Sequence, residues 1–221
     1  MPLAVKICGL NSPDAVEAAV AAGADLFGFV IFAASPRHVE PGAAAKLAGL
    51  LPDRTRAVAL TVDAEDRLID AIVEVVSPGL IQMHGRETPA RVGEIARRTG
   101  LRVIKALSVA APADLTAAAA YEEAAAMLLF DARPPEGASR PGGHGRAFDW
   151  RLMGAYRGPV QWLLSGGLDA GNVARAIGAS RARGIDVSSG VESPPGVKQP
   201  RLIAEFVAAA RAAESQLEES A

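Results

Sequence analysis

Residues 3–32 read LAVKICGLNSPDAVEAAVAAGADLFGFVIF, and the order of signals within them decides the fold class. A short apolar run at 3–9 fits one strand. Ser12-Pro13 then supplies a helix cap and a first-turn proline, and an Ala-rich segment runs to Gly23, where a helix should stop. A second apolar run begins at residue 25. Strand, helix, strand within about 30 residues is a βαβ unit, whose strands lie parallel because the helix carries the chain back.

The unit recurs along the chain. Apolar runs at 3–9, 25–32, 56–62, 80–84, 102–109, 127–132, 160–165 and 185–188 are the expected strands, separated by segments rich in Ala, Leu, Glu and Arg. Thr88-Pro89 and Gly100 bracket one such segment as Ser12-Pro13 and Gly23 bracket the first. Eight strands suffice to close, and closure removes exposed sheet edges. The expected fold is α/β, a single-domain (β/α)8 TIM barrel over residues 1–221, with an open doubly wound sheet as the rival. From about 214 the chain reads as a frayed, solvated tail.

Composition narrows the functions. Half the residues are apolar, as in a globular chain, and 23 basic against 25 acidic residues leave a net charge of −2. That balance offers no broad attraction to nucleic acid or an anionic membrane, though a local patch can still take one phosphate. The N-terminus lacks the pattern of a signal peptide, and no apolar run reaches the ~18 residues of a membrane span, so a cytoplasmic location is expected. Cys8, the only cysteine, has no partner for an intramolecular disulfide.

Strands of a parallel sheet are covered on both faces and should be almost uniformly apolar. Five are not. Lys6 and Cys8 share a face of the first strand, Gln82 and His84 of the fourth, and Asp186 and Ser188 of the eighth; Lys105 and Asp131 interrupt the fifth and sixth. Facing the helix layer these groups are expensive to bury, so all are expected to point into the barrel. Cys8, His84, Asp131 and Ser188 come late in their strands, at the end where barrel enzymes build active sites. Alone, Cys8 reads equally as a small apolar filler and His84 as a hydrogen-bonded core residue. Lys6 and Asp186, on strands adjacent in a closed barrel, suggest a structural ion pair.

Glycines cluster late in the chain, at 141–145, 165–169 and 188–192. The last two clusters follow the seventh and eighth strands, where barrels often bind phosphate on loop amides. A missing Cβ lets backbone N–H groups approach the anion, which makes Gly166, Gly167, Ser189 and Gly190 candidates; tight-turn geometry is the alternative. No Walker loop or convincing dinucleotide fingerprint is present, and His38, His84 and His144 lack metal-ligand spacing.

Lys6-Ile7-Cys8-Gly9, Ser35-Pro36-Arg37, Gln82-Met83-His84-Gly85, Phe130-Asp131, Gly142-Gly143-His144-Gly145, Phe148-Asp149-Trp150, Ser165-Gly166-Gly167-Leu168, Asp186 through Glu192 and Pro195 through Lys198 occur in that order. Jointly they resemble phosphoribosylanthranilate isomerase, from Lys6 to about Phe206. The resemblance implies an Amadori rearrangement in tryptophan biosynthesis, without cofactor or metal, on a phosphorylated small molecule by a monomer or homodimer. It implies Cys8 as general base, Asp131 as general acid, Arg37 and His84 as substrate ligands, and Gly143 and Gly145 among the phosphate-binding glycines. Arg37 would take the anthranilate carboxylate. His144, Ser165 and Gln199 depart from the family's usual residues.

The implied chemistry sets requirements. Asp131 must hold a proton to open the furanose ring; burial favours this and a cation such as Lys105 opposes it. Cys8 must lose one, which Lys6 or strand-end amides favour and burial opposes. Lys105 also keeps open a lyase using a catalytic lysine beside an acid. A noncatalytic phosphometabolite-binding regulator is the second rival. The Gly/Pro-rich stretch 133–147 is a plausible lid.

Overall fold

A computed structural model describes residues 2–138, 140–145 and 147–219, without the side chains of 218 and 219. Residues 139 and 146 of the expected lid, and 1, 220 and 221 of the expected domain, lie outside the described residues.

Eight parallel strands close in sequence order: β1 (Ala4–Cys8), β2 (Leu26–Val30), β3 (Ala57–Thr61), β4 (Leu80–Met83), β5 (Arg102–Val109), β6 (Met127–Ala132), β7 (Trp162–Leu164) and β8 (Gly184–Val187). Closure is made by β1 on β8, with Lys6 opposite Asp186 and Ile7 opposite Val187. Each strand falls within or next to its expected run, and the open-sheet rival is excluded. Among the described residues seven helices pack outside: α1 (Pro13–Ala21), α2 (Pro41–Ala48), α3 (Asp66–Ala71), α4 (Pro89–Thr99), α5 (Pro112–Thr116), α6 (Val173–Ser180) and α7 (Pro200–Glu219). The caps are those read from sequence. Ser12 accepts from the Ala15 N–H and Thr88 from that of Arg91, each before a proline, while Gly23 and Gly100 take positive φ at the exits.

The β6–β7 crossover departs from the pattern. A loop and a 3-10 turn, Trp150–Ala155, replace the helix. Phe130 fills the outer face there, edge-on to Tyr156 at 5.0 Å and Trp162 at 5.7 Å, so aromatic rings cover the barrel where a helix otherwise would.

One expectation needs correcting and another is met only in part. α7 continues to Glu219, with 215–217 exposed as expected of a solvated tail, and it is anchored where Glu214 accepts from the Leu3 N–H and pairs with Arg211, which also bonds Asp25 at 2.7 Å. The closing helix is thereby tied to the start of β1. Lys105 does not point into the barrel. Ile104 and Ala106 pack inward with Val58, Leu80 and Leu129, so the intervening lysine faces the helix layer. There its ammonium pairs with Glu87 at 2.7 Å, donates to the Met83 and Gly85 carbonyls, and lies 5.8 Å from the Tyr121 ring. The cost of burying it is offset by a partner that strand periodicity does not reveal.

Candidate active site

Inside the barrel the floor is apolar, and a polar layer lies above it. Lys6 Nζ donates to Asp186 Oδ1 at 2.6 Å, and Ser165 Oγ donates to Asp186 Oδ2 at 2.9 Å. The pair expected between β1 and β8 is present, and Ser165 contributes its hydroxyl to it. Cys8 stands above Lys6. A Cβ on Gly28, opposite Cys8 in β2, would fall 2.9 Å from Sγ and 3.2 Å from Lys6 Nζ, so this glycine leaves the space in which thiol and ammonium meet. Burial pushes the Cys8 thiol above its ordinary value, and the Lys6 charge only partly opposes it. Lys6 itself is shifted upward: burial works against its charge, but Asp186 and Cys8 more than offset that. It remains an ammonium.

Asp131 is the penultimate residue of β6, three strands from β1 around the barrel. Its Oδ1 accepts from the Ala132 N–H at 2.8 Å, and its Oδ2 lies 3.4 Å from His84 Nε2. Gln82 Nε2 faces His84 Nδ1 at 3.0 Å, so the ring is held between the amide and the carboxylate. Two glycines allow loops to close on Asp131: a Cβ on Gly142 would meet Oδ2 at 2.6 Å, and one on Gly166 would lie 3.2 Å from Oδ1. Lys105, paired with Glu87 outside the barrel wall, is not the cation beside this acid. The same placement removes the support for a catalytic-lysine lyase.

Arg37 follows β2 and is 3% exposed, unlike a free loop arginine. Its Nε and Nη2 donate to the two oxygens of Glu192 at 2.7 and 2.8 Å. Nη1 lies on the loop side, 2.5 Å from where a Gly143 Cβ would be. Glu192 also receives Lys198 Nζ at 2.5 Å and the Gly196 N–H at 2.9 Å. Burial raises its carboxyl's pKa, but Arg37, Lys198 and the amide hold it below the usual value. Lys198 is fully enclosed, and burial lowers its pKa to about 8 despite Glu192.

One cavity gathers nearly all the expected site residues. Cys8, Arg37, His84, Asp131, Gly143, Gly145, Gly166, Gly167 and Ser189 line it. Gly190 does not. A Cβ there would come within 1.9 Å of the Leu168 carbonyl oxygen, so that glycine serves the packing of the β8 turn against the β7 turn. His144 lines the cavity with Nε2 3.0 Å from the Arg140 carbonyl, whereas Gln199 bonds the Ser193 carbonyl outside it. Glu87, Glu192, Lys198 and Gly142 gain clear structural roles that sequence reading left unassigned. Glu192 and Lys198 lie in quoted motifs, but the pairing of Glu192 with Arg37 joins positions 155 residues apart.

A thiol and a carboxylic acid around one barrel mouth, beside glycine turns and a buried arginine, have the geometry of a proton-transfer enzyme acting on an anionic small molecule. The family model for N-(5′-phosphoribosyl)anthranilate isomerase matches residues 5–209. A protein of that name from Rhodopseudomonas palustris (strain BisA53) is 56% identical over 214 residues, 97% of this chain and 98% of the relative. The crystal structure of phosphoribosyl anthranilate isomerase from Thermotoga maritima superposes with a TM-score of 0.84 at 34% identity, covering 95% of this chain and 99% of that one. Another structure of the enzyme, in complex with reduced 1-(o-carboxyphenylamino)-1-deoxyribulose 5-phosphate, gives 0.80 at 32% identity over 95% and 99%. The chain belongs to the phosphoribosylanthranilate isomerase family.

Proposed function

We propose that this chain converts N-(5′-phosphoribosyl)anthranilate to 1-(2-carboxyphenylamino)-1-deoxyribulose 5-phosphate, a step of tryptophan biosynthesis, with Asp131 as acid and Cys8 as base. The observation that carries the assignment is that these two groups, on β6 and β1, face one cavity.

Asp131 gives a proton to the furanose ring oxygen as the C1′–O bond breaks and the anilino nitrogen lone pair forms the C1′=N bond. The Cys8 thiolate takes the C2′ proton, the C–H electrons become C1′=C2′, and the C=N electrons return to nitrogen. The resulting enolamine loses its C2′ hydroxyl proton and gains one at C1′, giving the ketone. C1′ is reduced and C2′ oxidised within one molecule, so the reaction is that of an intramolecular oxidoreductase. Only protons are exchanged with the protein, and no step calls on a cofactor.

Burial makes the thiolate costly, and Lys6 is the charge placed to offset it. His84, through Nε2, steadies the Asp131 carboxylate after proton transfer. Arg37 takes the anthranilate carboxylate, and the turns at 143–145, 166–167 and 189 take the phosphate. Residues 140–145 of the expected lid, already against Asp131 through Gly142, close over substrate. All these groups come from one chain, so a monomer or a homodimer can hold the complete site. A catalytic thiol also fits the reducing cytoplasm.

The test is loss of anthranilate-type fluorescence with substrate generated in situ. Wild type turns over, while Cys8→Ser and Asp131→Asn lose turnover by about 10²-fold or more with unchanged thermal unfolding. Wild-type rates in either variant remove that residue from the mechanism.

A further inference from the structure

Arg37 is not an isolated cation. The edge of its guanidinium carrying Nε and one proton of Nη2 is occupied by Glu192, and Nη2 also donates to the Gly143 carbonyl at 3.4 Å, which leaves Nη1 for a ligand. Glu192 is saturated in turn: Oε1 receives Arg37 Nε and Lys198 Nζ, and Oε2 receives Arg37 Nη2 and the Gly196 N–H. Lys198 also donates to the Ser188 carbonyl at 2.9 Å and lies 3.2 Å from the Ser188 hydroxyl, at the turn after β8. Two cations share one carboxylate, so this buried cluster carries one uncompensated positive charge. It lies in a low-dielectric wall, where that charge acts strongly on an incoming anion.

We infer that Arg37, Glu192 and Lys198 act as one cationic unit, in which the proton on Lys198 sets how tightly Arg37 holds the carboxylate of the ligand. The inference rests on the reading that Arg37 takes that carboxylate. Lys198 is a positioning residue: its side chain is fully buried and it acts through Glu192. The charged or titratable groups facing it are Glu192 on its own loop, Arg37 after β2 and Cys8 on β1. Losing its proton leaves Arg37 and Glu192 as a neutral pair with no net charge for the ligand. Burial brings its pKa to about 8, within reach of an ordinary assay. The sign follows: carboxylate affinity is constant below that value and falls as pH rises through it.

The experiment uses two product analogues on the whole chain: reduced 1-(o-carboxyphenylamino)-1-deoxyribulose 5-phosphate and its phenylamino counterpart without the carboxyl group. Both are measured as inhibitors from pH 7.5 to 9.5. The carboxylated analogue should weaken by up to about 20-fold across that range in wild type, since at most one proton's occupancy is lost. The analogue without the carboxyl should not follow it. Lys198→Arg keeps its charge at these pH values and should flatten the carboxylated curve. The inference is overturned if the wild-type curve is flat, if both analogues weaken in parallel, or if Lys198→Arg weakens as wild type does. A variant that fails to fold leaves the comparison of analogues on wild type to decide. Equal affinity of the two analogues at pH 7.5, or failure of both to bind, would sink the reading of Arg37 as well, whereas a preference for the carboxylated analogue without the pH trend sinks only this inference.

Discussion

Gly142→Ala is the most informative single change, because it adds one methyl group against the proposed acid. The new Cβ would sit 2.6 Å from Asp131 Oδ2 and 3.0 Å from His84 Nε2. Gly142 has no positive φ, so alanine can take its backbone conformation and the conflict is purely with side chains. Ordinary contact needs about 0.8 Å more, which must come from rotation of the carboxylate or retreat of the loop. A misplacement approaching 1 Å costs on the order of 10²-fold in rate, about 2.7 kcal/mol of barrier. If the carboxylate turns, kcat should fall about that much with KM little changed. If the loop retreats, KM should rise because Gly143 and Gly145 move with it. Thermal unfolding should stay within about 1 °C, since a surface loop carries little of the fold's stability. Steady-state fluorescence kinetics with a melting curve separates these results. Wild-type kcat and KM together would show that the loop does not lie on Asp131 during turnover, and the reasoning would fail.

Three further changes bear on other parts of the molecule. Arg37→Lys keeps the charge but loses the planar fork held by Glu192, so KM should rise about tenfold with kcat much less affected; an unchanged KM removes Arg37 from carboxylate binding. Glu192→Gln leaves two buried cations without their carboxylate and should cost about 3 kcal/mol at pH 7 by denaturant unfolding. Because Glu192 titrates below its ordinary value in the fold, its stabilisation is present above pH ~4.5 and fades as pH falls through the folded value, so the gap should narrow in acid; a constant gap contradicts this. Gly178→Ala, inside α6 with nothing within 4 Å of the new Cβ, should stabilise by about 1 kcal/mol and leave kinetics untouched, and a loss of stability would show crowding there.

The fold was legible because it is local. Ser12-Pro13 with Gly23 and Thr88-Pro89 with Gly100 mark helix ends through hydrogen bonds and φ values made within a few residues, and all four perform as read. Strand positions follow from apolar runs, again within a single segment. The crossover after β6 was less legible, since Phe130, Tyr156 and Trp162 replace a helix by meeting across 32 residues of chain. Aromatic content alone does not announce that. The anchoring of the C-terminal helix is hidden for the same reason: the Leu3 amide that Glu214 accepts from lies 211 residues away.

The site divides along the same line. Cys8, His84 and Asp131 announce themselves by breaking apolar strands near their ends, and Lys6 with Asp186 follows from which strands neighbour each other after closure. Lys105 breaks a strand just as visibly, yet it points the other way. The argument that a polar strand residue must face the interior assumes that the helix layer offers no partner, and Glu87 supplies one from the turn before α4. Period-2 alternation sets the choice: Ile104 and Ala106 share one face and Val103, Lys105 and Leu107 the other, and the face that is apolar in mid-strand took the closed interior. Within a barrel wall, then, a lone charge in mid-strand, as Lys105 is, reads as outward-facing with a hidden counter-ion, whereas Asp131, equally flanked by apolar residues, stands near the C-terminal end of its strand and faces the cavity. A charge that shares its face with further polar residues toward the C-terminal end, as Lys6 does with Cys8, reads as part of the site.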